Sequence, residues 1–262
     1  MSGKISNTFS LIRSIFFFDP LIYLYTMVLG TLSLLSSFFD RGGRVQHGFA
    51  RLWSWLILHT IGSPAHVAGL DKIDLSRPHV FVSNHISALD IPVLYTSLPI
   101  QFRILAKKEL FRYPFMGWHL RRSGQIPVER ESAMTSMRSL SHAAASVRAG
   151  TPVVVFPEGG RSATGEIKPF LSGAFYIAIR AGVEVVPMAI VGTREVLPMN
   201  SFHIRPGPMQ LVIGEPIPTV GLTPRDMEAL AIRVQRCVEE LYYAHSKVSD
   251  PRAAAVPQKQ SN

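Results

Sequence analysis

Hydrophobic residues follow two different patterns along the chain, and the pattern changes at about Gly62. Before this residue, 20–39 is an unbroken run of uncharged and mostly apolar residues, and 45–61 is a second helical segment that mixes aliphatic side chains with tryptophan, histidine and arginine. A helix as long as the first run measures roughly 30 Å, the thickness of a bilayer core. With a turn at 40–44 (DRGGR), the pattern predicts a membrane-associated two-helix segment over residues 1–62.

Three placements of this two-helix segment are compatible with its sequence. The first helix crosses the bilayer while the second lies at the interface, or the pair is embedded in one leaflet, or the pair is buried in a soluble protein. Trp53, Trp55 and Arg51 favour a membrane interface, and the unbroken apolar run disfavours the soluble alternative. A signal peptide is also disfavoured, because the run is too long and ends in FFDRGG rather than at small residues.

After Gly62, short apolar runs alternate with helical ones. Runs that are apolar throughout are typical of strands buried on both faces, and their alternation with helices predicts helices on both sides of a parallel sheet. The predicted strands are 79–84, 102–106, 124–128, 152–157, 183–192 and 209–214, and the predicted helices are 88–97, 108–121, 132–149, 170–181 and a last one that begins at Thr223. The sequence thus predicts an α/β domain over 63–246, with a mixed, largely parallel sheet flanked by helices, and a flexible tail over 247–262.

Charge adds a preference for anions. The formal net charge is +9, and 101–130 alone holds seven basic residues against two acidic ones. Such a window attracts nucleic acid, anionic lipid or a phosphorylated substrate, unless it is only a solvated basic face. Apolar residues make up 47% of the chain, which excludes a disordered protein. Cys237 is the single cysteine, so an intrachain disulfide is excluded, as fits a protein that faces the cytosol.

The stretch SNHISALD follows the predicted strand 79–84, at the edge of the sheet where ligands bind in such folds. His85 has the chemistry of a general base, and the Asp90 carboxylate would fix its tautomer if the loop brings the two together. The alternative is a helix start, because Ser87 and Asp90 have the spacing of a capping box. On this stretch alone, both interpretations stay open.

The stretch PEGGRSATGE follows the predicted strand 152–157 at the same edge. Gly159 and Gly160 let the backbone approach a ligand closely, and Arg161 offers a bidentate fork for phosphate. The alternative is a tight turn with a solvated arginine. The sequence contains no metal-ligand motif, P-loop, dinucleotide fingerprint or nucleophile elbow, so no metal and no cofactor are expected.

Four blocks together resemble the glycerolipid acyltransferases of the NHxxxxD type, in particular the 1-acylglycerol-3-phosphate acyltransferases. The blocks are NHISALD (84–90), AKKELFRYPFMGWHLRRSGQIPVER (106–130), FPEGGRS (156–162) and VVPMAIVG (185–192). They occur in the family's order and at ordinary spacing, which makes the resemblance specific. The departure is Gly160, where the family usually has threonine; the lost hydroxyl puts the preferred acceptor in doubt.

The resemblance implies a membrane-bound enzyme that moves a fatty acyl chain from acyl-CoA or acyl carrier protein to the sn-2 hydroxyl of lysophosphatidic acid. It implies that His85 takes the proton from this hydroxyl and that Asp90 orients His85. The implied substrate-binding residues are Lys107, Arg130, Glu158, Gly159, Gly160, Arg161 and Ser162. Of these, the arginines and Lys107 would hold the acceptor phosphate, the 158–160 loop would shape the pocket, and Ser162 would line it.

Location and alternatives complete the expectation. The resemblance implies a bacterial plasma membrane with the catalytic domain on the cytoplasmic side, and partners limited to the lyso-lipid acceptor, the acyl donor and membrane lipids. An acceptor such as lyso-ornithine lipid or a lysophospholipid with a head group is a close rival. A membrane-binding module without catalysis is a second alternative. Nucleic-acid binding is disfavoured, since 101–130 carries no recognised motif for it.

Overall fold

A computed structural model describes residues 2–40, 42–129 and 133–251. Its N-terminal part is a helical hairpin, and the rest is an α/β body. Arg130 and residues 252–262 of the predicted tail lie outside the described residues. The fold class expected from the sequence is confirmed, because a mixed, mostly parallel sheet flanked by helices follows a long apolar helix.

The first helix of the hairpin begins far ahead of the apolar run that predicts it. It comprises α1 (Ser2–Arg13), a five-residue π-helical segment (Ser14–Phe18) and α2 (Asp19–Ser36). Pro20 accounts for the π segment, because it has no N–H to donate and the preceding Asp19 N–H bonds to the more distant Ser14 carbonyl. Thr8–Ser36 is long and apolar enough to cross a membrane, and only 11% of its most apolar part is buried.

The turn after α2 lies where the sequence predicts it. Asp40 accepts hydrogen bonds from the backbone N–H groups of Gly42 (2.8 Å) and Val45 (2.7 Å), which begins α3 (Arg44–Thr60). Gly43 has φ +72°, and a Cβ there would lie 2.7 Å from the Arg103 guanidinium. Glycine is therefore required both by the backbone conformation and by the close approach of the body.

The body is built on a seven-stranded sheet in the described part of the chain. The strands are β1 (Ala65–Ala68), β2 (Val80–Ser83), β3 (Arg103–Lys107), β4 (Ile126–Val128), β5 (Val153–Val155), β6 (Val185–Val191) and β7 (Met209–Ile213). Their spatial order is β1-β7-β6-β2-β5-β3-β4. β6 and β7 pair antiparallel, whereas all other neighbours pair parallel, so β2 to β6 run in one direction.

Helices cover both faces of the sheet. They are α4 (Asp90–Ser97), α5 (Met116–Arg122), α6 (Ala133–Arg148), α7 (Tyr176–Ala181), α8 (Thr193–Val196) and α9 (Met227–His245). On β2, Val80 and Val82 pack toward α6, α7 and α9, while Phe81 packs toward α3 and α4. Since all four residues of β2 are buried, this central strand is apolar on both faces, as its sequence predicts.

All six predicted strands are confirmed, but three details of the sequence prediction are wrong or incomplete. The single helix predicted at 108–121 is a 3-10 turn (Lys108–Arg112) followed by α5. Pro114 breaks it, because proline lacks an N–H and disfavours helical backbone at the residue before it. The short strand β1 and the one-turn helix α8 are not predicted, and 170–181 begins as a 3-10 turn (Ser172–Phe175).

The predicted start of the last helix, at Thr223 with Pro224 in its first position, is confirmed. Thr223 and Asp226 form a capping box, in which Asp226 accepts from the Thr223 backbone N–H at 2.7 Å. Pro224 takes the first position, where a missing N–H costs no hydrogen bond. The first turn is 3-10 (Pro224–Asp226) and continues directly into α9.

Candidate active site

The polar residues singled out in the sequence meet at one edge of the sheet. β2, β3, β4, β5 and β6 are parallel to one another, so their carboxyl ends share this edge. His85 lies two residues beyond β2, Glu158 three beyond β5, Thr193 two beyond β6, and Lys107 ends β3. We call this the carboxyl edge and the opposite one the amino edge. β2 lies between β6 and β5, so His85 is reached by loops from both sides.

His85 and Asp90 form the predicted pair. The His85 Nδ1 atom lies 2.7 Å from Asp90 Oδ2, and the Asp90 side chain is completely buried. Asp90 Oδ2 also accepts from the backbone N–H groups of Ile86 (2.7 Å) and Ser87 (2.9 Å), while Asp90 Oδ1 accepts from the Thr193 hydroxyl at 2.6 Å. Because donors converge on both carboxylate oxygens, Nδ1 is the ring nitrogen that carries the proton, and Nε2 is left as the basic nitrogen.

The helix-start interpretation of the same residues is correct in part. The Asp90 carboxylate accepts from the Ser87 N–H, as in a capping box, but the Ser87 hydroxyl accepts from Leu89 N–H (3.2 Å) and donates to the Leu197 carbonyl (2.7 Å). α4 begins at Asp90 itself. One carboxylate therefore shapes the loop and orients the histidine at the same time.

The His85 ring is held on its face as well as on its edge. It stacks on Phe156 with the ring centroids 4.3 Å apart and the planes 25° apart. About 20% of the side chain is exposed, and Nε2 has no hydrogen-bond partner among the described residues. A fixed imidazole with one free, accessible nitrogen is the geometry that a general base needs.

Glu158 connects this loop to the one that follows β5. Its Oε1 accepts from the His85 backbone N–H at 2.7 Å, and its Oε2 accepts from the Lys168 backbone N–H at 3.0 Å. Burial raises the pKa of Glu158 to about 7, and the two backbone hydrogen bonds act in the opposite direction. Glu158 thus fixes the backbone at His85, the predicted general base.

The Gly–Arg loop lies directly against the histidine loop. The Ser162 backbone N–H donates to the His85 carbonyl at 2.8 Å. Because Arg161 directly precedes Ser162, this hydrogen bond brings the Arg161 backbone close to His85. Ser162 is buried, and its hydroxyl accepts from the Gly165 N–H within the loop at 3.2 Å. Gly159 has φ +77°, whereas a Cβ at Gly160 would meet nothing within 4 Å.

The Arg161 guanidinium makes no ion pair or hydrogen bond with a described residue; the Lys168 ammonium bonds to the Arg161 carbonyl instead, at 2.6 Å. Lys107 is exposed at the end of β3 and likewise has no acidic partner in the described ranges. These two cations are therefore available for an anion. Arg130, expected to share this role, falls between the described ranges.

The rest of the basic window 101–130 divides into different roles. Arg103 is tied to the Ser123 carbonyl and, at 2.7 Å, to the Gly42 carbonyl, and Lys108 pairs with Glu129 at 2.5 Å. Arg103 and Lys108 are therefore engaged in hydrogen bonds within the protein, and only part of the positive charge in this window is left for a ligand. Within the described ranges, no group of three or more His, Cys, Asp or Glu side chains is arranged to hold a metal ion.

Comparison with known proteins gives this geometry a family. A family model described as Acyltransferase matches residues 64–191. The human 1-acyl-sn-glycerol-3-phosphate acyltransferase alpha is 32% identical over 197 residues, which are 74% of this chain and 70% of the human one. This chain belongs to the 1-acyl-sn-glycerol-3-phosphate acyltransferase family. A chloroplast member from Brassica napus, named BAT2, is 36% identical over 68% of this chain, which spans about half (52%) of that relative.

A solved structure extends the likeness of this acyltransferase-family chain beyond the matched domain. The 1-acyl-sn-glycerophosphate acyltransferase PlsC from Thermotoga maritima has a TM-score of 0.70 and 27% sequence identity, over 91% of this chain and 97% of its own. Residues after Gly62 make up only about three quarters of the present chain. The shared structure therefore reaches into the N-terminal hairpin.

Three side chains that support the site in this family member are not predicted from the sequence. Thr193 bonds to Asp90, Phe156 stacks on His85, and Asn84 closes β2 onto β6 by bonding to the Ile190 carbonyl (2.9 Å) and N–H (2.8 Å). Asn84 and Phe156 lie within the NHISALD and FPEGGRS blocks, so their positions stand out in the sequence although their roles do not. For Thr193, the sequence indicates only that it comes directly after the predicted strand 183–192.

Replacing Thr193 with valine removes the hydroxyl that donates to Asp90 Oδ1, its one donor among the described residues, from a fully buried carboxylate. We expect the free energy of unfolding, measured by denaturant titration in detergent, to fall by about 1–3 kcal/mol. Thr193→Ser keeps the hydroxyl and should lose much less. Thr151→Val is the control, because Thr151 lies at the amino edge and its hydroxyl makes no described hydrogen bond. Equal losses in the two valine variants would contradict the role of the Thr193 hydroxyl.

Proposed function

We propose that the protein transfers a fatty acyl chain from a thioester, acyl-CoA or acyl carrier protein, to the sn-2 hydroxyl of lysophosphatidic acid, giving phosphatidic acid. The observation that carries the proposal is the His85–Asp90 pair at 2.7 Å, with Nε2 free and accessible. Membership in the family and the likeness to a solved lysophosphatidic acid acyltransferase support the same reaction.

The geometry supplies the proton path. His85 Nε2 takes the proton of the acceptor hydroxyl as its oxygen attacks the thioester carbonyl carbon, and buried Asp90 stabilises the imidazolium that forms. When the tetrahedral intermediate collapses, the C–S bond breaks and Nε2 returns the proton to the leaving thiolate. The new ester bond is formed directly, and no protein side chain is acylated at any stage.

The acceptor phosphate is held, in this proposal, by the cations of the carboxyl edge. Arg161 is adjacent to the residue whose N–H bonds to the His85 carbonyl, so a phosphate bound there would keep the glycerol hydroxyl close to the base. Lys107, at the end of β3, contributes a second positive charge, and Arg130 is assigned the same role from its place in the sequence block. A bidentate arginine suits a phosphomonoester because its N–H fork matches the oxygen spacing.

A roomier acceptor is the second candidate, and Gly160 is the observation that favours it. A Cβ at this position would have open space on all sides within 4 Å. The hydroxyl-bearing side chain usual in the family is therefore replaced by a gap beside the proposed phosphate site. A lyso-lipid with a head group beyond the phosphate, or a lyso-ornithine lipid, would fill that gap.

The decisive measurement is acyl transfer by the purified protein in detergent, with acyl-CoA and acyl carrier protein as donors and lyso-lipids with and without a phosphomonoester as acceptors. We expect lysophosphatidic acid to be the preferred acceptor, and His85→Ala to lower kcat by about 10²–10⁴-fold, because general-base help is worth that much. His142→Ala, an exposed histidine on α6, is the control and should keep full activity. Transfer only to acceptors without a phosphomonoester would overturn the proposed substrate, and full activity of His85→Ala would overturn the mechanism.

Arg161→Ala tests the phosphate site separately. Loss of a charged hydrogen bond should raise the KM for lysophosphatidic acid by about 10- to 100-fold and leave the KM for the acyl donor nearly unchanged. Arg180→Ala removes an exposed arginine at the end of α7, near the amino edge, and serves as the matched control. Equal increases in both KM values would show that Arg161 does not read the acceptor phosphate.

We further propose that the hairpin attaches the protein to the cytoplasmic leaflet of a bacterial plasma membrane without crossing it. The long helix is held by the body at two points, Ser14 and Ser33, which enclose most of its apolar part. Ser14 bonds to Ile204 near the carboxyl edge (3.0 and 3.2 Å), and Ser33 bonds to the His119 ring near the amino edge (3.1 Å). A perpendicular crossing would carry the folded body into the bilayer, so a helix that lies along the membrane is favoured.

Cysteine accessibility distinguishes the two placements. In a Cys237→Ser background, Asn7→Cys and Phe39→Cys mark positions near the two ends of the long helix. We expect a membrane-impermeant maleimide to label both positions from the same side of sealed inner-membrane vesicles. Labelling of the two positions from opposite sides would show that the helix crosses the bilayer.

A further inference from the structure

A groove lies between the C-terminal end of α2 and α5, away from His85. Its volume is about 520 Å³, within the usual range of ligand sites. Its lining includes Leu34, Leu35, Phe38, Trp118, Arg121 and Arg122. We call it the distal groove. Apolar side chains form most of its wall, and two arginines contribute to it.

The distal groove belongs to the amino edge. Arg103, the first residue of β3, bonds to the carbonyls of Gly42 in the hairpin turn and of Ser123, which follows Arg122. These two contacts place the hairpin turn and the end of α5 where β3 begins. His85 lies at the other end of the parallel strands, so the two sites belong to opposite edges of the sheet.

The two arginines lack an anionic partner in the part of the chain that the structure describes. Arg121 and Arg122 are exposed and form no salt bridge with a described residue. The Arg122 guanidinium lies 5.2 Å from the centre of the Phe38 ring. This cation–π contact holds the guanidinium over the apolar wall but does not neutralise its charge. A pair of unneutralised guanidiniums at the rim of an apolar groove is complementary to an anionic head attached to a hydrocarbon chain.

The surroundings of the distal groove identify the source of such a ligand. Phe39 is 93% exposed, and Leu35 and Trp118 are more than half exposed. They continue the exposed apolar side of the long helix, which includes Leu24, Val28 and Leu32. Tryptophan, phenylalanine and arginine side by side are the side chains that settle at the level of lipid head groups. The groove therefore opens toward lipid if the hairpin lies on a membrane.

We propose that the distal groove binds an anionic phospholipid of the membrane, with the phosphate between Arg121 and Arg122 and an acyl chain against Leu34, Leu35 and Trp118. This site is separate from the substrate site. It anchors the amino edge of the body to anionic membranes, while α1 anchors the carboxyl edge. The inference rests on the proposed membrane attachment of the hairpin and not on the proposed acyl transfer.

Tryptophan fluorescence tests the site directly. The chain has three tryptophans, so Trp53→Phe/Trp55→Phe leaves Trp118 as the single reporter. In detergent micelles, we expect brominated phosphatidylglycerol to quench Trp118 at a much lower mole fraction than brominated phosphatidylcholine. Arg121→Gln/Arg122→Gln in this background should weaken the apparent affinity for phosphatidylglycerol roughly 30-fold, from the typical contribution of two surface arginines. Arg121→Lys/Arg122→Lys keeps the charge and should retain most of the preference.

The control removes the same charge elsewhere. Arg233→Gln/Arg236→Gln changes two exposed arginines on α9, on the opposite face of the sheet, and should leave the preference intact. Equal quenching by the two lipids, or an equal loss in both glutamine variants, would overturn the site. Loss of the preference on adding inorganic phosphate would show a simple phosphate site. Displacement of the brominated lipid by acyl-CoA would assign the groove to the donor, and each of these results would also overturn the proposal.

Acyl transfer measured on the same variants separates this inference from the proposed function. We expect Arg121→Gln/Arg122→Gln to keep the parent kcat in detergent, because both residues are remote from His85. A tenfold or greater loss of kcat in this variant alone would show that the groove belongs to the catalytic machinery. A parent protein that prefers phosphatidylglycerol but transfers no acyl chain would overturn the proposed reaction and leave the lipid site standing.

Discussion

The Asp90 carboxylate is the constraint on which the site depends. It is fully buried, and it joins the start of α4 to two other segments of the chain: the loop after β2, through His85, Ile86 and Ser87, and the end of β6, through Thr193. A buried charge is tolerated only when its oxygens are hydrogen-bonded. The four donors that make Asp90 tolerable are therefore the same groups that fix the base and its tautomer, so stability and orientation cannot be separated here.

Glu158 repeats this logic on the other side of the central strand. Each of its oxygens accepts one backbone N–H, from His85 and from Lys168, and burial raises its pKa to about 7. The strand order β6-β2-β5 explains why Glu158, after β5, and Thr193, after β6, both reach the loop that follows β2, whereas Asp90 reaches His85 locally from the start of α4. His85 is held by loops on both flanks, and its Nε2 has no hydrogen-bond partner among the described residues.

The sequence was sufficient for elements whose signal is local. Apolar runs locate the strands β2 to β7, and Thr223 with Pro224 locates the start of α9. Local signals say nothing about which strands are neighbours, and so Thr193 could not be paired with Asp90 across 103 residues of sequence. β1 has no such signal because its four residues, AHVA, form no apolar run, and the helix predicted at 108–121 is too long because Pro114 interrupts it.

A short segment links the long helix to the loop that carries His85. Ser87 donates to the Leu197 carbonyl at 2.7 Å, and Arg205 N–H returns to the Val196 carbonyl at 2.8 Å. The neighbouring Ile204 N–H then bonds to Ser14 of the long helix at 3.0 Å. Because these hydrogen bonds follow one another along the chain, the position of the long helix also sets the position of the His85 loop. In the proposed membrane attachment, the depth of the helix in the lipid would then set the depth of Nε2, and a lyso-lipid could reach it without leaving the leaflet.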